Sequence, residues 1–543
     1  MVMEKCGYGK DGIFRSLRPP LILPKDEHAN IVSFLFRDSS AFAHKLALID
    51  ANSREKLSFR EFKDRVHQVA GGLHQLGIRK GDVVLIYAPN SINFPLCFLG
   101  IILNGAVATT ANPLYTTMEI SKQVEDSKTK LIITVPELWD KVKDLGLPAV
   151  IIGSHDLSRP TSGTSITLFS EVLTMGLRKS PPAIKIGQRD TAALLYSSGT
   201  TGLNKGVVLT HGNFIAAALM VGSDQEVRGE RHMIWLCLLP MFHVYGLSVV
   251  TFAQLQRGNA VVSMANFDFK RMLEVIQEYK VTNLPIVPPI MIALAKQKEI
   301  VAQYDLSSLK EVISGAAPIG RDILEESATN VPTAAIVQGY GLTETCGIVT
   351  MVHRERSSHF GSSGSLVPGV EAKIASLEMG KPLPPNQQGE IWVRGPNIMA
   401  GYFNNPNATK NTIDRDGWLH TGDLGYFDEN GGLFIVDRIK ELIKCNGFQV
   451  APAELEALLL THPKIVDAGV IPQSHPKAGE VPIAFVVLSP KSFLKEQDVM
   501  DFVFKQVASF KRLHSVTFVK RIPKSASGKI LRRELVQSIQ SKL

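Results

Sequence analysis

The chain has 543 residues, with a hydrophobic fraction of 45% and a charged fraction of 20%. That is longer than the roughly 250–300 residues one core supports, and ordinary in composition, which excludes disorder and implies two or more domains. The net charge of +8 suits polyphosphate ligands, whereas the basic pairs Lys511-Arg512, Lys520-Arg521 and Arg532-Arg533 lack the interleaved aromatic residues of a nucleic-acid platform.

Residues Met1 to Lys10 place Glu4, Lys5 and Gly7 where an apolar leader would begin, so no secretory peptide is expected. Cys6, Cys97, Cys237, Cys346 and Cys445 are scattered, with no C-x-x-C pair, and give neither a disulfide framework nor a metal cluster. From Asp82 to Gly339 short β-rich runs alternate with helical stretches. The runs 83–88, 130–135, 149–153, 191–196, 258–264 and 334–339 read as buried strands. Phe269, Met272, Leu273 and Ile276 recur at helical spacing and predict one apolar helix face. This alternation predicts an α/β fold of mainly parallel sheets covered by helices. Between Trp235 and Ala253 no residue is charged, but Pro240 and His243 break the run. A buried strand, a turn and a buried helix fit it better than a membrane span.

After Gly361 turn residues become frequent, as in Pro384-Pro385-Asn386 and Asp428-Glu429-Asn430-Gly431-Gly432, which predicts a small β subdomain over about 361–437. The remainder, 438–543, reads as a compact α+β domain. Pro452 opens a helix with Glu454 in its first turn. Strands are expected over 481–488 and 515–522, with a helix near 497–507 between them.

The strongest local signal follows the 191–196 strand: Ser197-Ser198-Gly199-Thr200-Thr201-Gly202-Leu203-Asn204-Lys205-Gly206. Glycines that permit close backbone approach, hydroxyl donors and Lys205 make a plausible anion-binding turn, although the order is not that of a Walker A loop. This stretch resembles the phosphate-binding loop of the adenylate-forming superfamily, which includes acyl-CoA synthetases, 4-coumarate–CoA ligases, luciferases and nonribosomal adenylation domains. Further superfamily motifs follow in order: Gln338 to Thr345, Thr421-Gly422-Asp423, Asp437 to Lys444, and Pro523 to Ile530. The resemblance runs from about Ile31 to the C-terminus and is strongest to plant peroxisomal 4-coumarate–CoA ligase-like proteins.

The resemblance implies a ligase that uses ATP, coenzyme A and Mg²⁺ to turn a fatty, jasmonate-precursor or phenylpropanoid acid into its acyl-CoA through an acyl-adenylate. An enzyme loading a carrier protein and a non-catalytic relative are the alternatives. Matching positions imply that Ser197, Ser198, Gly199, Thr200, Thr201 and Lys205 meet the phosphates. Thr343 joins them, and Glu344 would hold the metal. Gln338, Gly339, Asp423 and Arg438 would contact the nucleotide. His243, Tyr245, Ala316, Lys444 and Gln449 would line the acyl-adenylate site, and Gly447 would lie near coenzyme A. Lys529 resembles the lysine that bridges carboxylate and α-phosphate, and Lys440 the pivot of the final domain. Two lysines that often contact coenzyme A in the family are here Asn266 and Asn446. The terminal Ser541-Lys542-Leu543 resembles a peroxisomal address read by an import receptor.

Overall fold

In the computed structural model, residues 6–153, 165–179, 182–198, 204–357, 360–490, 492–526 and 528–540 are described. Two large sheets carry most of the chain. The first has eight strands. Val83–Tyr87 lies at its centre, flanked in parallel by Val107–Thr110 and Thr129–Thr134. Thr191–Ser198 joins beside Val107–Thr110, also in parallel. The second sheet has nine strands, with Ile234–Cys237, Ala260–Ser263, Asn283–Ile286, Glu311–Ser314 and Ala335–Tyr340 parallel to one another. These strands are buried on both faces, as the unbroken Val/Ile/Leu runs predicted, and helices such as Phe59–Gln75 and His211–Val227 cover them.

The pattern reading missed the strands Val107–Thr110, Asn283–Ile286 and Glu311–Ser314, and two further features escaped it. Asn204–Thr210 is itself a strand, folded back antiparallel on Thr191–Ser198 with Lys205 opposite Ser197. Lys205 therefore stands on a returning strand rather than in the turn that precedes it. The β-rich sheet also recruits the chain's start: Phe14–Arg15 pairs with Glu371–Ala375, ahead of Gly389–Arg394, Leu419–Phe427 and Leu433–Arg438. No alternation in so short a segment announces a strand.

The uncharged stretch resolves as expected into the strand Ile234–Cys237, a turn at Pro240 and the helix Tyr245–Phe252. The helix is of the wide π type, a form common at functional sites. A Cβ on Gly246 would lie 2.3 Å from the Pro240 carbonyl oxygen, so only glycine lets the helix start this close to the turn. Among the described residues no helix is long and apolar enough to cross a membrane.

A fourth sheet contains Ile443–Cys445, Phe448–Val450, Ile465–His475, Gly479–Leu488 and Ser515–Phe518. It packs its own core of Leu455, Leu459, Val470, Val486 and Val499. Pro452 is the first residue of the helix Pro452–Leu460, as expected. The strand predicted over 515–522 stops at Phe518. Its partner ends at Leu488, so the register runs out after Val519 bonds to the Val486 carbonyl.

One buried ion pair ties the first residues to the centre. Arg18 Nε and Nη2 donate to both carboxylate oxygens of Asp224 at 2.9 and 3.0 Å, with the two side chains only 2% and 7% exposed. The remaining Arg18 N–H groups reach the carbonyls of Met351, Ser365 and Leu366. Removing one partner of such a pair strands a buried charge. Arg18→Ala should therefore cost about 3–5 kcal/mol in urea unfolding. Arg18→Lys should recover only part of that loss, because an ammonium cannot reproduce the fork. An Arg18→Ala protein with an unchanged urea midpoint would show the pair contributes nothing.

Candidate functional site

A cleft of about 1630 Å³ opens where the sheets meet. Parallel strands deliver their carboxyl ends to it. Thr110 and Ser197 come from the first sheet, and Gly315, Ala316, Gly339 and Tyr340 from the second. Of the residues singled out in the sequence, Ser197, Lys205, His243, Tyr245, Ala316, Gly339, Thr343, Glu344, Arg438, Lys440, Lys444, Gln449 and Lys529 line this one space. Gln338 turns away and donates to the Ser362 carbonyl at 3.1 Å. Gly447 is off the wall, in a two-residue hairpin tip where Asn446 and Gly447 both adopt positive φ. Ser198 closes its strand; Gly199, Thr200 and Thr201 lie outside the described residues.

One wall is built for anions. Glu344 follows the strand Ala335–Tyr340 on a short turn and accepts hydrogen bonds from Ser197 Oγ at 3.0 Å and Tyr402 Oη at 2.9 Å. The same Tyr402 ring stands 5.0 Å from Lys205 Nζ, close enough for a cation–π contact. Asp423 sits behind the wall, in the strand Leu419–Phe427 opposite Arg438. Arg438 Nε lies 3.2 Å from one of its oxygens, and Tyr340 Oη donates to the other at 2.6 Å. Burial raises the Asp423 pKa against the lowering pull of Arg438. Glu390 fixes the approach to Asp423 by accepting from the Gly422 N–H at 3.0 Å, and the strand bulges there. Tyr402 and Glu390 were given no role in the sequence, and Tyr340 was named only as part of the Gln338 to Thr345 motif. No spacing signals them, because each acts through a partner distant in the chain.

Lys529 arrives from the C-terminal unit on a tight turn, in which Ser525 N–H bonds the Lys529 carbonyl and Ser525 Oγ accepts the Lys529 N–H. Gly528 adopts φ +78° there, and a Cβ on it would press within 3.1 Å of Val287 across the cleft. Burial, aided by the Arg438 guanidinium, lowers the Lys529 pKa. Glu441, 3.9 Å from Lys529 Nζ, is shared with Arg532, which also grips Glu456. An anion entering between Lys529 and Arg438 would relieve their mutual repulsion.

Around His243 the lining includes the apolar side chains of Phe242, Val244, Val249 and Ile348. His243 Nδ1 lies 3.3 Å from the Tyr245 backbone N–H and accepts from it, which leaves the proton on Nε2. Burial pulls the His243 pKa down to about 4, so the ring is neutral near pH 7. Tyr245 Oη donates to the Ile313 carbonyl at 3.2 Å. Glu344 is the carboxylate fit for a metal. Among the described residues no group of three or more His, Cys, Asp or Glu side chains converges, so the donor set suits a hard cation carried largely by phosphate oxygens. All five cysteines are buried and unlinked.

The chain matches the AMP-binding enzyme family over residues 35–403, and the C-terminal domain of AMP-binding enzymes over 454–529. It is 46% identical over 550 residues to a protein of Humulus lupulus named "Probable CoA ligase CCL5", covering 100% of this chain and 99% of that one. It is 44% identical over 549 residues to the "Peroxisomal OPC-8:0-CoA ligase 1" of Arabidopsis thaliana, covering 99% and 98%. Among solved structures it is similar to the anthranilate CoA ligase AuaEII in complex with anthranoyl-AMP, at a TM-score of 0.86 and 26% identity, covering 96% and 99%.

The neutral imidazoles carry a pH signature. His211, also buried, is likewise held near 4. In the unfolded chain both titrate at the ordinary 6.5, so the unfolded state takes up protons that the folded state declines. Their effect on stability is nil above pH 6.5 and unfavourable as pH falls from 6.5 towards 4. His243→Gln should therefore lose less melting temperature than the parent across that window; parallel curves would show that His243 is protonated normally in the fold.

Proposed function

The chain belongs to the AMP-binding enzyme family, and from that premise we propose that it is an ATP-dependent carboxylic acid–coenzyme A ligase. The acid's carboxylate attacks the α-phosphorus of ATP, giving acyl-AMP and pyrophosphate. The coenzyme A thiolate then attacks the acyl carbon, forming the thioester and releasing AMP. The observation that supports this reading best is the cleft itself. A phosphate-suited wall of Ser197, Lys205, Glu344, Arg438 and Lys529 faces the apolar lining around His243 and Tyr245.

In this reading Lys529 spans the attacking carboxylate and the α-phosphate, neutralising charge as it develops on phosphorus. Lys205 and the hydroxyls of the 197–201 turn hold the outer phosphates. Glu344, with Thr343 beside it, would hold Mg²⁺, whose positive charge offsets that of the phosphate oxygens when bound. Asp423, oriented by Tyr340 and Arg438, accepts the ribose hydroxyls. The neutral His243 offers its Nε2–H to the acyl-adenylate without adding charge. Residues 1–437 form the ATP- and acid-binding body and 438–543 a mobile domain that turns about Lys440 between half-reactions, bringing Gly447 towards coenzyme A. Substrates are fatty, jasmonate-precursor or phenylpropanoid acids, and Ser541-Lys542-Leu543 directs the protein to peroxisomes through the import receptor.

The reading is tested by acid-dependent ATP–pyrophosphate exchange and by acyl-CoA formation with AMP release. Lys529→Ala should slow adenylation by about 10²–10³-fold while thioester formation from supplied acyl-AMP survives. An equal fall in both half-reactions would make the lysine structural and would remove the case for domain alternation. Deleting Ser541 to Leu543 should leave an N-terminally tagged protein in the cytosol of plant cells; undiminished punctate peroxisomal signal would refute the address.

A further inference from the structure

Behind that apolar lining lies a second, smaller cavity of about 30 Å³. Tyr245, Val249, Ile313 and Met351 line both spaces, so these four residues form the partition between them. The partition is latched by one side-chain hydrogen bond, the 3.2 Å contact from Tyr245 Oη to the Ile313 carbonyl. The chamber behind it is large enough for one or two atoms' worth of polar guest, and its lining is unusual for an acyl pocket.

Most of that lining is already satisfied. Asp224 accepts both arms of Arg18. Arg228 pairs with Glu230 and Glu311, and Glu311 is further held by Asn283 and Arg354. Gln225 takes hydrogen bonds from Arg257 and Asn259 and gives one to Gln254. The exception is Trp235, which is 3% exposed, lines the chamber and has a buried indole Nε1–H without an acceptor. An indole N–H can only donate, and a buried donor left unpaired is costly. What the chamber lacks is one acceptor. A carboxylate is the wrong acceptor, because it would face Asp224 and Glu311 across a space with no unpaired cation on its wall.

The geometry points to the chamber as an end-group subsite: the acid bound in the cleft passes the Tyr245–Ile313 partition and places a neutral oxygen, a ketone or hydroxyl at its distal end, against Trp235 Nε1–H. This rests on the ligase reading and narrows it to aliphatic acids that carry a distal neutral hydrogen-bond acceptor. Plain alkyl acids leave the indole unpaired; dicarboxylic acids bring a charge the chamber repels. Discrimination of this kind is strong, since a site built around a hydrogen bond rejects the analogue that cannot make it.

The test compares, at each length from hexanoic to dodecanoic acid, the straight-chain acid, its methyl-ketone analogue and the corresponding dicarboxylic acid, using acid-dependent ATP–pyrophosphate exchange by the full chain. At the length that reaches the chamber, kcat/KM for the keto acid should exceed that for the alkyl acid by about 10-fold, the worth of one buried hydrogen bond. The dicarboxylic acid should fall below both. In Trp235→Phe, which keeps an aromatic ring and removes the donor, the keto-to-alkyl ratio should drop to near unity. Val352→Leu, which fills the chamber from its half-buried edge, should lower the same ratio if the indole variant does not fold. A flat ratio at every length in the parent enzyme, or a ratio untouched by Trp235→Phe, would overturn the subsite while leaving the ligase intact. Exchange absent with every acid would instead remove the ligase reading, and the subsite with it.

Discussion

Parallel strands impose a direction. Successive parallel strands of the two large sheets are joined by crossovers that return the chain to the starting edge, so the carboxyl ends of the parallel strands gather along one side. In this protein that side is the cleft. Ser197, Ala316 and Glu344, at or just beyond the ends of Thr191–Ser198, Glu311–Ser314 and Ala335–Tyr340, line it. The site's position follows from this constraint before any catalytic side chain is considered. It also explains the strain stored there: Ala316 and Cys346, neither of them glycine, hold positive φ in turns beside the cleft.

The second determinant is how charge is kept away from water. Asp423 with Arg438 and Tyr340, Glu441 with Arg532 and Lys529, and Asp224 with Arg18 are buried or half-buried groups that face partners far away in sequence. Each pairing fixes a geometry because leaving either member alone is expensive. The pairs differ in what they leave over. Arg18 and Asp224 satisfy one another and serve the fold. Lys529 and Arg438, both cationic and both on the cleft wall, leave a positive field that an anionic ligand would relieve. The fold's electrostatics are thus closed at the core and open at the cleft.

Much of this was legible in the residues. The unbroken apolar runs gave six of the parallel strands to within about two residues, because a strand buried on both faces tolerates little else, but Val107–Thr110, Asn283–Ile286 and Glu311–Ser314 were not singled out. The run from Trp235 to Ala253 could be read as strand, turn and helix because Pro240 and His243 interrupt it. Side-chain chemistry alone suggested phosphate only for the stretch Ser197 to Gly206; Glu344, Arg438 and Lys529 were found because their motifs resemble those of the adenylate-forming superfamily. By contrast, the strand Phe14–Arg15 and the early end of the strand at Phe518 depend on whether a partner strand lies alongside, and no local pattern records that.

By itself, then, the sequence determined the elements with strong periodicity and the order of the motifs, since those depend on near neighbours and on side-chain chemistry. Only the tertiary structure decided which distant residues share a wall. It put Lys205 on a returning strand rather than in a loop, and brought Tyr340 and Tyr402 to Asp423 and Glu344. It turned Gln338 away to Ser362, and left Trp235 with a donor and no acceptor behind Tyr245. The physical reason is common to all of these. A hydrogen bond or ion pair across tens or hundreds of residues is chosen by packing, and packing is a property of the whole chain.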